Sequence, residues 1–190
     1  MKKIVTSLVA LSLALVAWGQ NPMDRPMETF PTEAETHLMC QAAWNRLQGN
    51  PACAPELATA ALQSGNRQYS NAVLGYVDET AGPKAIVKAV QKVYPSLPDA
   101  AKADVLYWIG RNKLAALQKF VDEGVRAAQV SESSMAAAFA AVQMGGKHNQ
   151  ELLDKSVKSG SPLAPEIRRL RGLASGDDDD STRNALRDHK

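Results

Sequence analysis

The feature that most limits what this chain can fold into is a helix-stop signal that recurs along it. Leu62-Gln63-Ser64-Gly65, Val121-Asp122-Glu123-Gly124 and Val157-Lys158-Ser159-Gly160 each end an apolar run of helical period in glycine. Glycine is the residue that most readily takes the left-handed conformation closing a helix. Val93-Tyr94-Pro95-Ser96 belongs to the same series and stops its run with proline. Taken at 65, 96, 124 and 160, the stops are spaced by 31, 28 and 36 residues, intervals at which repeated helix pairs are to be looked for.

Between the stops lie breaks: Gly49 to Pro55, Asp78 to Pro83, Gly110 to Asn112, and Gly145-Gly146. They divide the body into four helix pairs, 32–65, 66–95, 97–124 and 130–160. A ninth helix follows, with Ser161 as cap, Pro162 in its first turn and Gly172 near its end. The first helix is expected over about 32–48, because Thr32-x-x-Glu35 reads as a capping box and Leu38, Met39, Ala42, Ala43 and Leu47 follow at helical spacing. Ser96 with Asp99 resembles a second box, and the serines from Ser131 to Ser134 read as a helix cap. The stretch 97–110, apolar nearly all round, is expected at the centre, and 162–173, with one polar face, as a C-terminal cap.

The segments AVLGYVDETAGPKAIVKAV, DVLYWIGRNKLAALQKFV and AAFAAVQMGGKHNQELLDKSV can be laid over one another. They resemble HEAT-like repeats, in which a helix ending near Leu-Gly turns tightly into a second helix that opens on alanine and an apolar residue. The resemblance covers about residues 55–160; of that family's Asp and Arg ladder, Val125-Arg126-Ala127-Ala128 is the element present. It implies an all-α fold: a short α-solenoid of about four helix pairs plus a capping helix, whose second helices line a groove. The 30 alanines also suit a compact helical bundle, the architectural alternative.

The two ends read differently from the body. Residues 1–19 have the parts of a secretory signal: Lys2-Lys3, an apolar stretch from Ile4 to Trp18, and small residues before an expected cleavage after Gly19. Residues 20–31 form a proline-rich arm, 32–174 the helical domain, and 175–190 a tail with four consecutive aspartates, Asp177 to Asp180, expected to be extended and hydrated. The formal charge of +2 comes from Lys2 and Lys3, so the chain after cleavage is neutral. That balance argues against nucleic acid as a partner, and no charge-free apolar run is long enough to span a membrane. Export to the periplasm or beyond, in a bacterium, is the expected location.

In an oxidising compartment Cys40 and Cys53 are expected to form a disulfide stapling the first helix to the loop after it. Two buried thiols are the alternative, and His37, one turn before Cys40, adds only a weak metal reading, so no metal or cofactor is assigned.

No nucleophile–base constellation stands out, and no catalytic residue is assigned. His37, His148 and His189 sit in no recognised motif, and Gly145-Gly146-Lys147 lacks the rest of a phosphate loop. Lys84, Lys88 and Lys92 fall at i, i+4 and i+8, a basic stripe that the resemblance places in the groove; Lys119, Lys155 and Lys158 extend it. Asp122, Glu151 and Asp154 are available to neutralise that face, while Tyr76 and Tyr107 offer aromatic anchors and Trp108 reads as core. The chain is therefore expected to be a non-catalytic scaffold that binds another envelope or secreted protein. A small helical enzyme or ligand-binding protein, with a pocket where His37 or His148 meets a carboxylate, is the alternative.

Overall fold

The computed structural model describes residues 31–175, and every regular element among them is helical. The α-helices are α1 Glu33–Gly49, α2 Ala54–Gln63, α3 Arg67–Thr80, α4 Val87–Val93, α5 Asp99–Arg111, α6 Gln118–Val125, α7 Glu132–Met144, α8 Gly146–Lys158 and α9 Ala164–Ser175. The expected leader, nearly all of the proline-rich arm, and the acidic tail with Asp177 to Asp180 lie outside the described residues.

Local chemistry sets the helix starts. Thr32 and Glu35 make the capping box read from the sequence, the Thr32 hydroxyl accepting from Glu35 N–H and the Glu35 carboxylate accepting from Thr32 N–H at 2.7 Å. Asn66 caps α3, and Ser131 with Ser134 forms a second box at α7. Ser96 does not cap α5: its hydroxyl turns back to the Val93 carbonyl, and Pro98 occupies the cap position. Asp99 instead accepts from Ser131 and Ser133 at the start of α7. The odd-numbered helices thus begin after Thr32, Asn66, Pro98 and Ser131, spaced by 34, 32 and 33 residues, a more regular period than the stops show.

Gly65 and Gly160 end their helices in left-handed backbone, with φ of 73° and 70°. Gly124 does not. It lies inside α6, and a Cβ there would collide with the Ala137 Cβ of α7. Gly110 is likewise inside α5, where a Cβ would stand 2.7 Å from the Ala140 Cα. The left-handed position after α5 falls to Lys113, with φ of 50°. Lys113 N–H bonds to the Gly110 carbonyl and Leu114 N–H to that of Ile109, the same closure that Gly160 and Ser161 make on Val157 and Ser156.

Helices pack on the next but one in sequence: α1 on α3, α3 on α5, α5 on α7, α7 on α9, and in parallel α2 on α4 and α6 on α8. The two series are joined where α2 meets α3, α6 meets α7, and α8 meets α7 and α9. Ala103, Val105, Leu106, Trp108 and Ile109 on α5 are fully buried, and α7 buries Ser134 and five alanines while touching α5, α6, α8 and α9. Methyl side chains let four neighbours approach one helix. At the C-terminal end α9 buries Ile167 and Leu170, and the turn before it buries Leu163, each stabilising by about 2 kcal/mol, while Arg168 and Arg169 are exposed.

Cys40 and Cys53 are both buried free thiols, which corrects the expected disulfide. Helix α1 continues to Gly49, so Cys53 comes back to it only at Arg46, whose carbonyl accepts from the Cys53 thiol at 3.9 Å. Six residues of helix separate Arg46 from Cys40, about 9 Å along the axis, beyond the reach of a disulfide. Burial raises the pKa of the Cys40 thiol.

Candidate functional site

Helix α5 is buried over most of its surface, and between its exposed end residues Asp99 and Arg111 the one exposed side chain is Tyr107, at 40%. Asp104, Tyr107 and Arg111 recur at helical spacing on one face of α5. With Asn71 of α3 and Phe139 and Gln143 of α7 they line a groove of about 470 Å³. The Tyr107 and Phe139 rings meet edge to face, with centroids 5.2 Å apart, and form its aromatic floor.

The groove is polar at its sides. Asp104, only 7% exposed, accepts two hydrogen bonds from Arg67 at the start of α3, at 2.9 and 2.6 Å, and Arg67 also donates to Glu132 at the start of α7 at 2.7 Å. The Asp104 hydrogen bonds, then that of Glu132, raise the pKa of Arg67. Asp104 is therefore already paired, and Arg111, exposed and without an ion pair among the described residues, is the cation the groove can offer.

The sequence-predicted residues separate into two sets. Tyr107 lines the groove, whereas Lys88 and Lys92 stand exposed on α4, Lys119 on α6 and Lys155 on α8. Lys84 lies on the 3-10 turn Pro83–Ile86 rather than on α4, so the stripe is broken at its first member. Lys119 sits over the Phe120 ring, 4.6 Å from its centroid. The acids expected to offset the lysines have other partners: Asp122 holds Arg126 and His148, Asp154 holds Arg171 at 2.7 Å, and Glu151 faces Lys147 at 3.7 Å.

His148 does meet a carboxylate. Its Nε2 lies 3.0 and 3.1 Å from the two Asp122 oxygens, and Gln118 donates to Asp122 and Asn149 at 2.8 Å each. Burial works to raise the pKa of Asp122, but the bonds from His148 and Gln118 prevail and hold it below the ordinary carboxylate value. The imidazole is 58% exposed, and among the described residues no hydroxyl or thiol bonds to it. His37 is exposed on α1. Among the described residues no three His, Cys, Asp or Glu side chains come together to hold a metal ion, and no helix is long and apolar enough to cross a membrane.

Sequence reasoning missed the polar ties between successive odd helices: Asn66 to Thr36, Arg67 to Asp104 and Glu132, Asp99 to Ser131 and Ser133, and Asp78 to the Trp108 indole at 2.8 Å. A signal for them exists, since Arg67, Asp99 and Glu132 each hold the first position of an odd helix. Alignment on helix starts rather than stops reveals it.

Comparison with protein-family models, with curated proteins and with solved structures finds no match to this chain.

Proposed function

We propose that the chain is a short HEAT-like α-solenoid serving as a non-catalytic scaffold, exported to the periplasm or outside a bacterial cell. Its groove across α3, α5 and α7 holds an extended segment of another envelope or secreted protein. Packing of each helix on the next but one, and helix starts 34, 32 and 33 residues apart, support the repeat. The observation that carries the binding role is Tyr107, an exposed aromatic in the middle of a mostly buried helix, edge-on to Phe139 and one turn from Arg111.

Those groups define the occupant. An apolar or aromatic side chain covers the Tyr107–Phe139 floor, a carboxylate next to it reaches Arg111, and the exposed amides of Asn71 and Gln143 take the hydrogen bonds of an extended backbone. Panning a displayed peptide library against the folded protein tests this. Enrichment of sequences pairing an apolar or aromatic residue with an acidic one, lost on Tyr107→Ala and on Arg111→Glu, is the expected outcome. Enrichment indifferent to both substitutions, or none at all, rejects the groove as the binding surface.

A further inference from the structure

The groove calls for an apolar side chain beside a carboxylate, and the chain itself carries such a pair outside the described residues. Between Gly176 and Lys190 the one large apolar residue is Leu186, and Asp188 follows it two positions on. In extended chain, residues two apart point to one face and stand about 6.7 Å apart. Tyr107 and Arg111, one turn apart on α5, are separated by about 6 Å along the helix axis. An extended segment lying along α5 can therefore set Leu186 on the Tyr107–Phe139 floor and Asp188 at Arg111 together.

The fold starts that tail at the matching end of the stack. Helix α9 packs on α7 and α8, and Arg171, one turn before α9 ends, donates to the Gln150 carbonyl in the second turn of α8 at 3.2 Å. Helix α8 begins at Gly146, directly after α7 ends at Met144, so α9 finishes on the side where α7 finishes. Helix α5 finishes there too, because Gly110 lies against Ala140. From α9 across α7 to α5 is two interhelical steps, about 16–20 Å, whereas the chain from Ser175 to Leu186 can span up to about 36 Å.

The arginines nearest to the tail in sequence are engaged: Arg171 holds Asp154 at 2.7 Å, and Arg169 holds Glu166 through bonds of 2.8 and 2.6 Å. Arg111 has no ion pair among the described residues. The carbonyls of Trp108, Ile109 and Gly110 accept from Asn112, Leu114 and Lys113 N–H, which blunts the repulsion a carboxylate meets at this helix end.

We infer that the C-terminal tail occupies the groove of its own chain, with Leu186 on the aromatic floor and Asp188 at Arg111, and that a partner segment binds by displacing it. This rests on the groove being a surface for extended segments, as proposed above. Asp177 to Asp180 fall in the connecting stretch, where their mutual repulsion favours an extended tether. A tethered segment that can span the distance is presented at roughly millimolar effective concentration, which lets so small a contact compete with a free partner.

Amide chemical shifts of the full chain, wild type against a variant carrying Leu186→Ser and Asp188→Lys, test the inference. Differences are expected at Tyr107, Arg111, Phe139 and Gln143. A synthetic peptide of residues 181–190, added in trans, is expected to move the same amides in the variant. A tail filling its groove about nine-tenths of the time makes the peptide bind the wild type about tenfold more weakly than the variant. Groove amides unchanged by the two substitutions, or a peptide bound equally by both chains or by neither, would overturn the tail as occupant. Panning on the variant judges the groove separately, since enrichment of apolar–acidic peptides that depends on Tyr107 and Arg111 sustains the groove even where the tail fails.

Discussion

The contact between α5 and α7 and the contact between α6 and α8 are the same step of the stack, taken in its two series of helices, and they are built from opposite chemistry. On the first, Gly110 lies against Ala140 and, alongside, Gly124 of α6 lies against Ala137, with no space for a further methyl group at either point. On the second, Gln118 and Asp122 of α6 meet His148 and Asn149 of α8 through side-chain hydrogen bonds. Small apolar residues fix a distance between backbones and leave nothing to bind with. Polar side chains hold their helices through paired donors and acceptors instead.

The comparison is tested most severely at the glycines. Gly124→Ala gains about 1 kcal/mol of helix propensity but forces two Cβ atoms together, and a net loss of about 2 kcal/mol is expected in urea unfolding. The steric neighbour there is the Ala137 Cβ, so Ala137→Gly in the same chain is expected to recover part of the loss, giving a coupling above about 1 kcal/mol in a double-mutant cycle. At Gly110 the neighbour is the Ala140 Cα, a backbone atom, and Gly110→Ala is expected to find no such rescue from Ala140→Gly. Additive behaviour at Gly124 would show that the contact is not steric.

The polar contact is expected to yield less energy and more pH dependence. Asp122→Asn weakens the bonds to His148 and Arg126, both more than half exposed, and a cost of about 1 kcal/mol at neutral pH is expected. Because the native pKa of Asp122 is lowered, its contribution is complete above the unfolded carboxylate value of about 3.9 and is lost as pH falls through the native value. Asp122→Asn is therefore expected to flatten the decline in thermal stability between about pH 4 and pH 2; a decline as steep as that of the wild type would show that the carboxylate is not linked to folding.

The smallest effect concerns how a helix on the close-packed side is closed. Lys113 holds a left-handed conformation that Gly160 holds at the corresponding closure, and the strain of a β-carbon there is about 1 kcal/mol. Lys113→Gly recovers that strain against the entropy that glycine adds to the unfolded chain, and stabilisation of under about 1 kcal/mol is expected by thermal melting. A measurable loss of stability would place the Lys113 side chain in a role that its exposure does not suggest.

Helix order was legible in the residues because stops, caps and apolar spacing act within one or two turns. Thr32 with Glu35, Ser131 with Ser134, and Gly65 and Gly160 behave as local rules require. Gly124 was misread because glycine serves two purposes, a left-handed turn or a close approach, and only the neighbouring helix distinguishes them; the break beginning at Gly110 was read correctly, but not its close approach to Ala140. Ser96 illustrates a competing local bond, its hydroxyl being taken by Val93 before it can cap. Tyr107 was singled out in the sequence as a candidate anchor, but its separation from the lysines was not legible, since residues on different helices are brought together or kept apart by the packing between them.

By itself, then, the sequence determined that the body is all-helical, where α1 and α7 begin, and which faces are apolar, because hydrogen bonding and side-chain period within a helix need no distant partner. Tertiary structure alone decided that Cys40 and Cys53 stay apart, that Asp104 is paired with Arg67, and that Asp122 holds His148 in the open. It also decided that the Ser156 hydroxyl is buried without a hydrogen-bond partner among the described residues. Each of these depends on how one element packs on another, and no spacing along the chain encodes that.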